Sequence, residues 1–76
     1  MQELQISLNT IDKVKSFVDK ISGMHGEFNL VAGRCIIDAK SIMGIFSLDI
    51  SKPLLLRVQD LDDQESFDKM IAEYAI

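Results

Sequence analysis

Two stretches of the chain carry apolar residues at the spacing of one helix face, and this feature limits the possible folds most strongly. Apolar residues recur at i, i+3, i+4 and i+7 within residues 10–22 and again between residues 67 and 74. Each stripe has to be buried against another element, and a chain of 76 residues can build only one core. The sequence therefore predicts a single domain, residues 1–76, in which both helices pack on one partner layer. The stripe residues are Val14, Phe17, Val18 and Ile21, followed by Phe67, Met70, Ile71 and Tyr74.

The partner layer is predicted to be an antiparallel β-sheet with one apolar face. Residues 3–8, "ELQISL", alternate strictly between polar and apolar side chains, which is typical of a half-buried strand. Residues 27–32 and 34–39 are short β-prone runs around Gly33 and predict a hairpin. Residues 54–59, "LLLRVQ", supply the last strand. The element order is β-α-β-β-α-β-α, and the predicted fold class is α+β, a two-layer sandwich with the helices on one face of the sheet.

The second face of this sheet is predicted to be open to solvent. Three apolar residues, Val31, Ile36 and Leu55, lie on it among polar ones. A mildly apolar open face leaves two states possible, a monomer or a weak dimer.

Charge and composition exclude several classes of function. Twelve acidic residues against eight basic ones give a net charge of −4, and the basic residues form no patch, which argues against nucleic-acid binding. The chain shows no signal-peptide pattern, and no apolar run approaches the roughly 20 residues of a membrane span. The single cysteine allows no internal disulfide, so a cytoplasmic protein is expected. A domain this small has little room for an enclosed pocket, so neither enzymatic activity nor a cofactor is expected.

Isolated reactive residues offer little chemistry. His25 is predicted to be a solvated loop residue rather than a nucleophile or a metal ligand, because no second ligand stands at a suitable spacing. Cys35 is predicted to point inward from its hairpin strand, as a small buried apolar residue rather than a reactive thiol. The acidic run at residues 60–65 lacks the glycine and the ligand spacing of a calcium loop, and it is predicted to start the last helix. No metal site is therefore predicted.

A short apolar segment, residues 42–47, follows Ser41 and is predicted to form a small helix. The hydroxyl of Ser41 can cap that helix, a contribution of about 1 kcal/mol. The same hydroxyl is also a candidate phosphorylation site, since the free N–H groups at a helix start favour a phosphate. These two interpretations are compatible. Ile45 and Leu48 are predicted to pack inward, which leaves the other side of the helix for a partner.

The same region carries a family resemblance. The stretch "KSIMGIFSLDI", residues 40–50, closely resembles the central segment K-S-I-M-G-V-M-S-L-G-I of HPr, the histidine-containing phosphocarrier of the bacterial sugar phosphotransferase system. Upstream, "FV" at residues 17–18, Gly23 and Glu27 stand at the spacing of that family without gaps. The resemblance extends over the whole chain, although it is strong only in the centre.

The resemblance implies an open-faced sandwich with a four-stranded antiparallel sheet in the order 1-4-2-3. It implies that Ser41 corresponds to the regulatory serine that an ATP-dependent kinase phosphorylates in some relatives. It also implies that the short helix after Ser41 is a docking surface for phosphotransferase-system or regulatory proteins. The expected contact residues are Ile42, Met43, Phe46 and Ser47, with Lys15, Ser16 and Asp19 of the first helix beside them.

The chain departs from the family at the position of the phosphorylated histidine. The family motif G-L-H-A-R-P-A aligns with "LNTIDKV", residues 8–14, so that Thr10 replaces the histidine, Asp12 the arginine and Lys13 the proline. A carboxylate repels a phosphoryl group, and two like charges about 4 Å apart cost roughly 4 kcal/mol at an effective dielectric near 20. The hydroxyl of Thr10 is also a poor nucleophile without a nearby base.

Three functional hypotheses follow from these observations. The first is a divergent HPr-like protein that lacks the active-site histidine and acts as a regulatory or interaction module. The second is a working phosphocarrier of the sugar phosphotransferase system that uses a non-standard site. The third is a small-molecule-binding module of the ACT type, which the shortness of the Ser41–Ser47 helix disfavours.

Overall fold

The computed structural model describes residues 1–76, which form seven elements in the predicted order. The elements are β1 (Gln2–Ile6), α1 (Ile11–Ser22), β2 (Glu27–Ala32), β3 (Cys35–Asp38), α2 (Ile42–Phe46), β4 (Leu54–Gln59) and α3 (Gln64–Ile71).

The four strands form one antiparallel sheet in the order β1-β4-β2-β3, which confirms the predicted order. β2 and β3 are joined by a two-residue turn, because Ala32 pairs directly with Cys35. Gly33 adopts φ +62° at the first central position of this turn, where the hairpin geometry favours glycine. The predicted hairpin is thus confirmed, with the turn at the predicted place.

The core lies between the helices and one face of the sheet. Leu56 on the central strand β4 pairs with Leu4 of β1 and with Leu30 of β2, and Leu56 and Leu30 are fully buried. Both helical stripes cover this face, and all of their residues are buried except Val18, which is partly buried against the core. The open face carries the predicted mixture of polar and apolar residues, with Glu3 and Arg57 joined there by an ion pair of 2.9 Å.

Two predicted boundaries are displaced at the first loop. β1 ends at Ile6 rather than at residue 8, although Leu8 is fully buried beyond the strand. The strand ends early because the chain turns toward α1, where Thr10 is the N-cap rather than the first helical residue. A buried apolar residue in a loop continues the alternating pattern and cannot be distinguished from strand by pattern alone.

The prediction that Cys35 is buried was wrong, because its side chain is exposed. Cys35 does share the helix-facing side of the sheet with Ile37, as predicted, since the two alternate with Ile36. However, β3 is the edge strand and Cys35 is its first residue, beside the turn at Gly33. At that corner the helices do not cover the sheet, so Cys35 is exposed although it lies on the helix-facing side.

The acidic run before α3 serves as a helix start, as predicted. Asp63 is the N-cap, and its carboxylate accepts hydrogen bonds from the backbone N–H and the hydroxyl of Ser66 at 3.0 and 2.8 Å. These hydrogen bonds lower the pKa of Asp63 below its usual value, because they favour the charged form. The cap therefore stabilises α3 while the carboxyl is ionised and loses this contribution on acidification through the lowered pKa.

Candidate functional site

The short helix α2 starts on the hydroxyl of Ser41. This Oγ accepts a hydrogen bond of 3.1 Å from the backbone N–H of Gly44, which is an N-cap interaction. A Cβ atom at Gly44 would lie 3.2 Å from that Oγ and 3.4 Å from Cδ1 of Ile37. The glycine thus allows α2 to close tightly on its own cap and to lie against β3.

The apolar side chains of α2 divide between the core and the solvent. Ile45 is fully buried, and Leu48, just beyond the helix, is partly buried, as predicted. Met43 and Phe46 are exposed, with 77% and 40% of their surface accessible. Ile42 is less exposed than expected, because it packs against the core and is only partly accessible. Its position at the start of the helix turns its side chain toward the protein.

Ser47 closes α2 at the other end. It is the C-cap residue, its side chain is exposed, and its hydroxyl donates a hydrogen bond to the carbonyl oxygen of Gly44. The exposed surface of α2 therefore consists of two apolar side chains and a terminal hydroxyl.

The start of α1 shows what stands at the position of the family histidine. Thr10 is an N-cap whose Oγ1 accepts a hydrogen bond of 3.1 Å from the backbone N–H of Lys13. Thr10, Asp12 and Lys13 are all exposed. In this solvated setting the repulsion between Asp12 and a phosphoryl group would be closer to about 1 kcal/mol than to the higher value expected for a partly buried pair.

The two flanks of α1 face different neighbours. The hydroxyl of Ser16 hydrogen-bonds to the phenol of Tyr74 at 2.7 Å, and Lys20, one turn later, forms an ion pair of 2.7 Å with Glu73. This flank therefore faces the C-terminal segment, and Ser16 does not lie beside α2 as expected. The Glu73 carboxylate raises the pKa of Lys20, and the Lys20 ammonium lowers that of Glu73.

The opposite flank of α1 faces α2, with which α1 is in contact. Lys15 lies on this flank and is exposed; Asp19 is also exposed, on the outer side of the helix. Ile11 lies one turn before Lys15, and 58% of its surface is accessible. The sequence analysis did not identify Ile11 as a contact residue. Its only signal is a large apolar residue immediately after an N-cap, outside the stripe that α1 buries.

Ile11, Met43 and Phe46 are thus exposed apolar side chains on two helices that are in contact, and together we call them the α1–α2 surface. Two of the other exposed large apolar residues, Met1 and Ile76, are the chain ends, and the remaining one, Ile36, is on the open sheet face. Large exposed apolar side chains are therefore concentrated here, as is typical of a protein-interaction site.

The remaining candidates offer no competing site. His25 lies in the exposed loop at the far end of α1, as predicted. A helix of 12 residues is about 18 Å long, so His25 is far from Thr10. No group of histidine, cysteine and acidic side chains is arranged to hold a metal ion. None of the helices has the length and apolar character needed to span a bilayer.

Comparison with known proteins gives one informative result. No family model and no curated protein sequence matches the chain. Among solved structures, the crystal structure of HPr-C-His from Thermoanaerobacter tengcongensis is similar, with a TM-score of 0.78 and 24% sequence identity. The similarity covers 95% of this chain and 89% of that one.

The chain has the HPr fold. The similarity extends over nearly all of both chains, and the strand order, the three helices and the open sheet face agree with that architecture. In this fold α1, which begins after Thr10, is in contact with α2, which begins after Ser41. These are the two segments in which the sequence shows its most informative match and its most informative departure.

Proposed function

We propose that this protein is an HPr-like interaction module that binds protein partners through the α1–α2 surface and carries no phosphate on histidine. The observation that supports this proposal most directly is the exposure of Met43 and Phe46 on a helix capped by Ser41, in a chain with the HPr fold. The partners would be phosphotransferase-system or regulatory proteins in the cytoplasm. In this role the protein is not itself an enzyme.

The physical argument for docking rests on the exposed apolar area. A small domain is marginally stable, and apolar side chains left in water contribute nothing to its core. Burying a large apolar side chain in an interface contributes about 1.5–3 kcal/mol. Met43, Phe46 and Ile11 can supply several such contributions together, and Lys15 and Ser47 supply a polar rim.

The argument against carrier activity rests on Thr10. The lone histidine is about a helix length away, so no imidazole is at hand to activate the Thr10 hydroxyl. A phosphate ester on threonine is also stable and would not pass its phosphoryl group on readily. The alternative of a phosphocarrier with a non-standard site thus has no supporting geometry. The length of α2, five residues, argues against the ACT-type alternative.

Ser41 is proposed as the switch of this surface. A phosphate on its hydroxyl adds a charge of about −2 beside Met43, within a chain that already carries −4. Apolar docking next to such a charge is disfavoured for partners that have no basic residue opposite it, and it is strengthened for partners that have one. Phosphorylation would therefore change which partner binds.

The proposed switch predicts phosphorylation at one site. Incubation with an HPr kinase and ATP is expected to add one phosphate to the wild-type protein, detected by intact mass and located by fragmentation at Ser41. Ser41→Ala should remain unlabelled, whereas Ser47→Ala, which lacks a hydroxyl at the other end of the same helix, should be labelled. If a conventional HPr is labelled in parallel and this protein is not, Ser41 is not a regulatory site.

A further inference from the structure

The two edge strands of the sheet differ in whether another segment of the chain covers them. The edge at β1 is covered by the C-terminal segment, since the N–H of Ser7 donates to the carbonyl of Tyr74 at 2.8 Å and that of Ile76 donates to the carbonyl of Gln5 at 3.1 Å. The edge at β3 has no strand or terminal segment beside it, and only its last residue, Asp38, is engaged, since its carbonyl accepts from the N–H of Ser41 at 3.0 Å and its carboxylate accepts from the N–H of Lys40 at 2.9 Å. It also lacks the proline or lysine that commonly protects an exposed edge strand, as residues 35–38 read "CIID".

The direction of the free backbone groups of β3 follows from the hairpin. In the two-residue turn, Cys35 and Ala32 face each other, and the Cys35 N–H is directed at the Ala32 carbonyl. The backbone N–H and C=O groups of successive residues alternate in direction along a strand. Those of Ile37 therefore also point toward β2, whereas those of Ile36 point away from the sheet. The hydrogen bond of 2.9 Å from the N–H of Ala39 to the carbonyl of Phe28 follows the same alternation. The N–H and C=O groups of Ile36 are therefore available to another strand.

We propose that a second copy of this chain pairs with β3 in antiparallel fashion, about a two-fold axis that passes through Ile36. In this arrangement Ile36 lies opposite itself and each copy contributes its outward N–H and C=O. Arg34 of each copy lies opposite Asp38 of the other. The two four-stranded sheets join into one continuous sheet, as in other strand-addition complexes.

Charge complementarity selects this register and this occupant. Arg34, in the turn before β3, and Asp38, the last residue of β3, stand two residues before and two residues after Ile36, so the two-fold axis brings opposite charges close together twice. Opposite charges directly across an antiparallel pair stabilise it, and like charges destabilise it. A two-fold axis through Arg34 or Asp38 would place two copies of the same charged residue opposite each other. An axis through Cys35 or Ile37 would need backbone groups that already point toward β2.

The open sheet face adds apolar contact to the same arrangement. Ile36 has 60% of its surface accessible and projects on this face beside its pairing partner Val31, which in turn pairs with Leu55. The two-fold axis brings two copies of Ile36 together and extends this apolar surface across the junction. Because β3 has only four residues, the dimer is weak and depends on concentration.

The dimer is independent of the proposed docking function, but it has a consequence for that function. A two-fold axis perpendicular to the sheet keeps the helices of both copies on the same side. Since α2 lies against β3, the two α1–α2 surfaces then face the same way. A partner with two binding sites would gain from such a bivalent arrangement.

Sedimentation equilibrium of the whole chain under reducing conditions tests the proposal, over about 10 μM to about 1 mM, where weak association is measurable. The apparent mass of the wild type is expected to rise from 8.5 kDa toward twice that value. Arg34→Glu and Asp38→Lys each create two like-charged pairs, and each variant alone should self-associate at least about tenfold more weakly. An equimolar mixture of the two variants restores both opposite-charge pairs and should dimerise again.

Ile36→Lys is the second variant, because it changes an exposed side chain and should abolish the dimer without altering the fold, as checked by circular dichroism. Three results would overturn the proposal. The first is a wild-type mass that stays at 8.5 kDa over the whole range. The second is undiminished self-association of Arg34→Glu or Ile36→Lys. The third is a mixture of the two charge variants that remains monomeric while both are folded.

Discussion

Replacing Leu56 with alanine is expected to lower the free energy of unfolding by about 3 kcal/mol. Leu56 is fully buried on the central strand β4, between Leu4 and Leu30 of the neighbouring strands, and belongs to the single hydrophobic core. The loss combines the transfer energy of the removed methyl groups with the cavity that remains, since close-packed neighbours relax only partly. It is a large fraction of the roughly 5–15 kcal/mol that stabilises a typical domain. Urea unfolding at neutral pH, with an unchanged m-value, measures it.

Leu55→Ala is the matched control for this prediction. Leu55 is the preceding residue on the same strand, and its side chain lies on the open face, where it is only partly buried. We expect this substitution to cost less than about 1 kcal/mol. Equal losses at the two positions would mean that the sheet is covered on both faces, contrary to the fold described above.

Introducing Thr10→His together with Asp12→Arg is expected to create carrier activity that the wild type lacks. The imidazole supplies the nucleophile and acceptor, and the guanidinium replaces a repulsion of the phosphoryl group by an attraction. At these exposed positions the repulsion that is removed and the attraction that is gained are each about 1 kcal/mol. Compared with Thr10→His alone, the double variant should therefore incorporate roughly 30-fold more phosphate. The readout is acid-labile phosphate after incubation with phosphoenolpyruvate and the first enzyme of the phosphotransferase system.

His25→Ala in the same double variant is the control, since His25 lies at the far end of α1 and should not affect labelling. Acid-labile phosphate on the wild-type protein would contradict the loss of carrier activity. Failure of the double variant to accept phosphate, while a conventional HPr does so, would show that the α1–α2 surface no longer presents residue 10 to the first enzyme.

Much of the fold was predictable because its pattern is set by local periodicity. β2 and β4 have the predicted bounds, and the stripe of α3 is buried as expected, since alternation and helical spacing report directly which face meets the core. The capping role of Ser41 was also predictable from residue type, because few side chains satisfy the free groups at the start of a helix. The strand order itself came from the family resemblance.

The errors occurred where burial depends on neighbours that local pattern does not identify. Cys35 has the correct face but sits at the uncovered corner of an edge strand. Ile42 was expected to be exposed, yet the close approach of α2 to β3 at Gly44 brings the start of the helix against the core. Ser16 turned toward Tyr74 rather than α2, because which flank of α1 meets which helix is set only by the tertiary arrangement.

The apolar α1–α2 surface was therefore predicted in part. Met43 and Phe46 were expected to be exposed, and they are. Ile11 was missed because an isolated apolar residue next to a cap gives no periodic signal, and its exposure on a helix in contact with α2 is visible only in the tertiary structure.

The most direct test of docking is a titration of ¹⁵N-labelled protein with the first enzyme of the phosphotransferase system, followed by amide chemical shifts. We predict that the perturbed amides lie at Ile11, Lys15 and residues 41–47. Met43→Glu should weaken binding at least about tenfold. Its free energy of unfolding should stay within about 0.5 kcal/mol of the wild-type value. If a conventional HPr binds under the same conditions and this protein shows no shifts, or only shifts on the open sheet face, the α1–α2 surface is not its docking site.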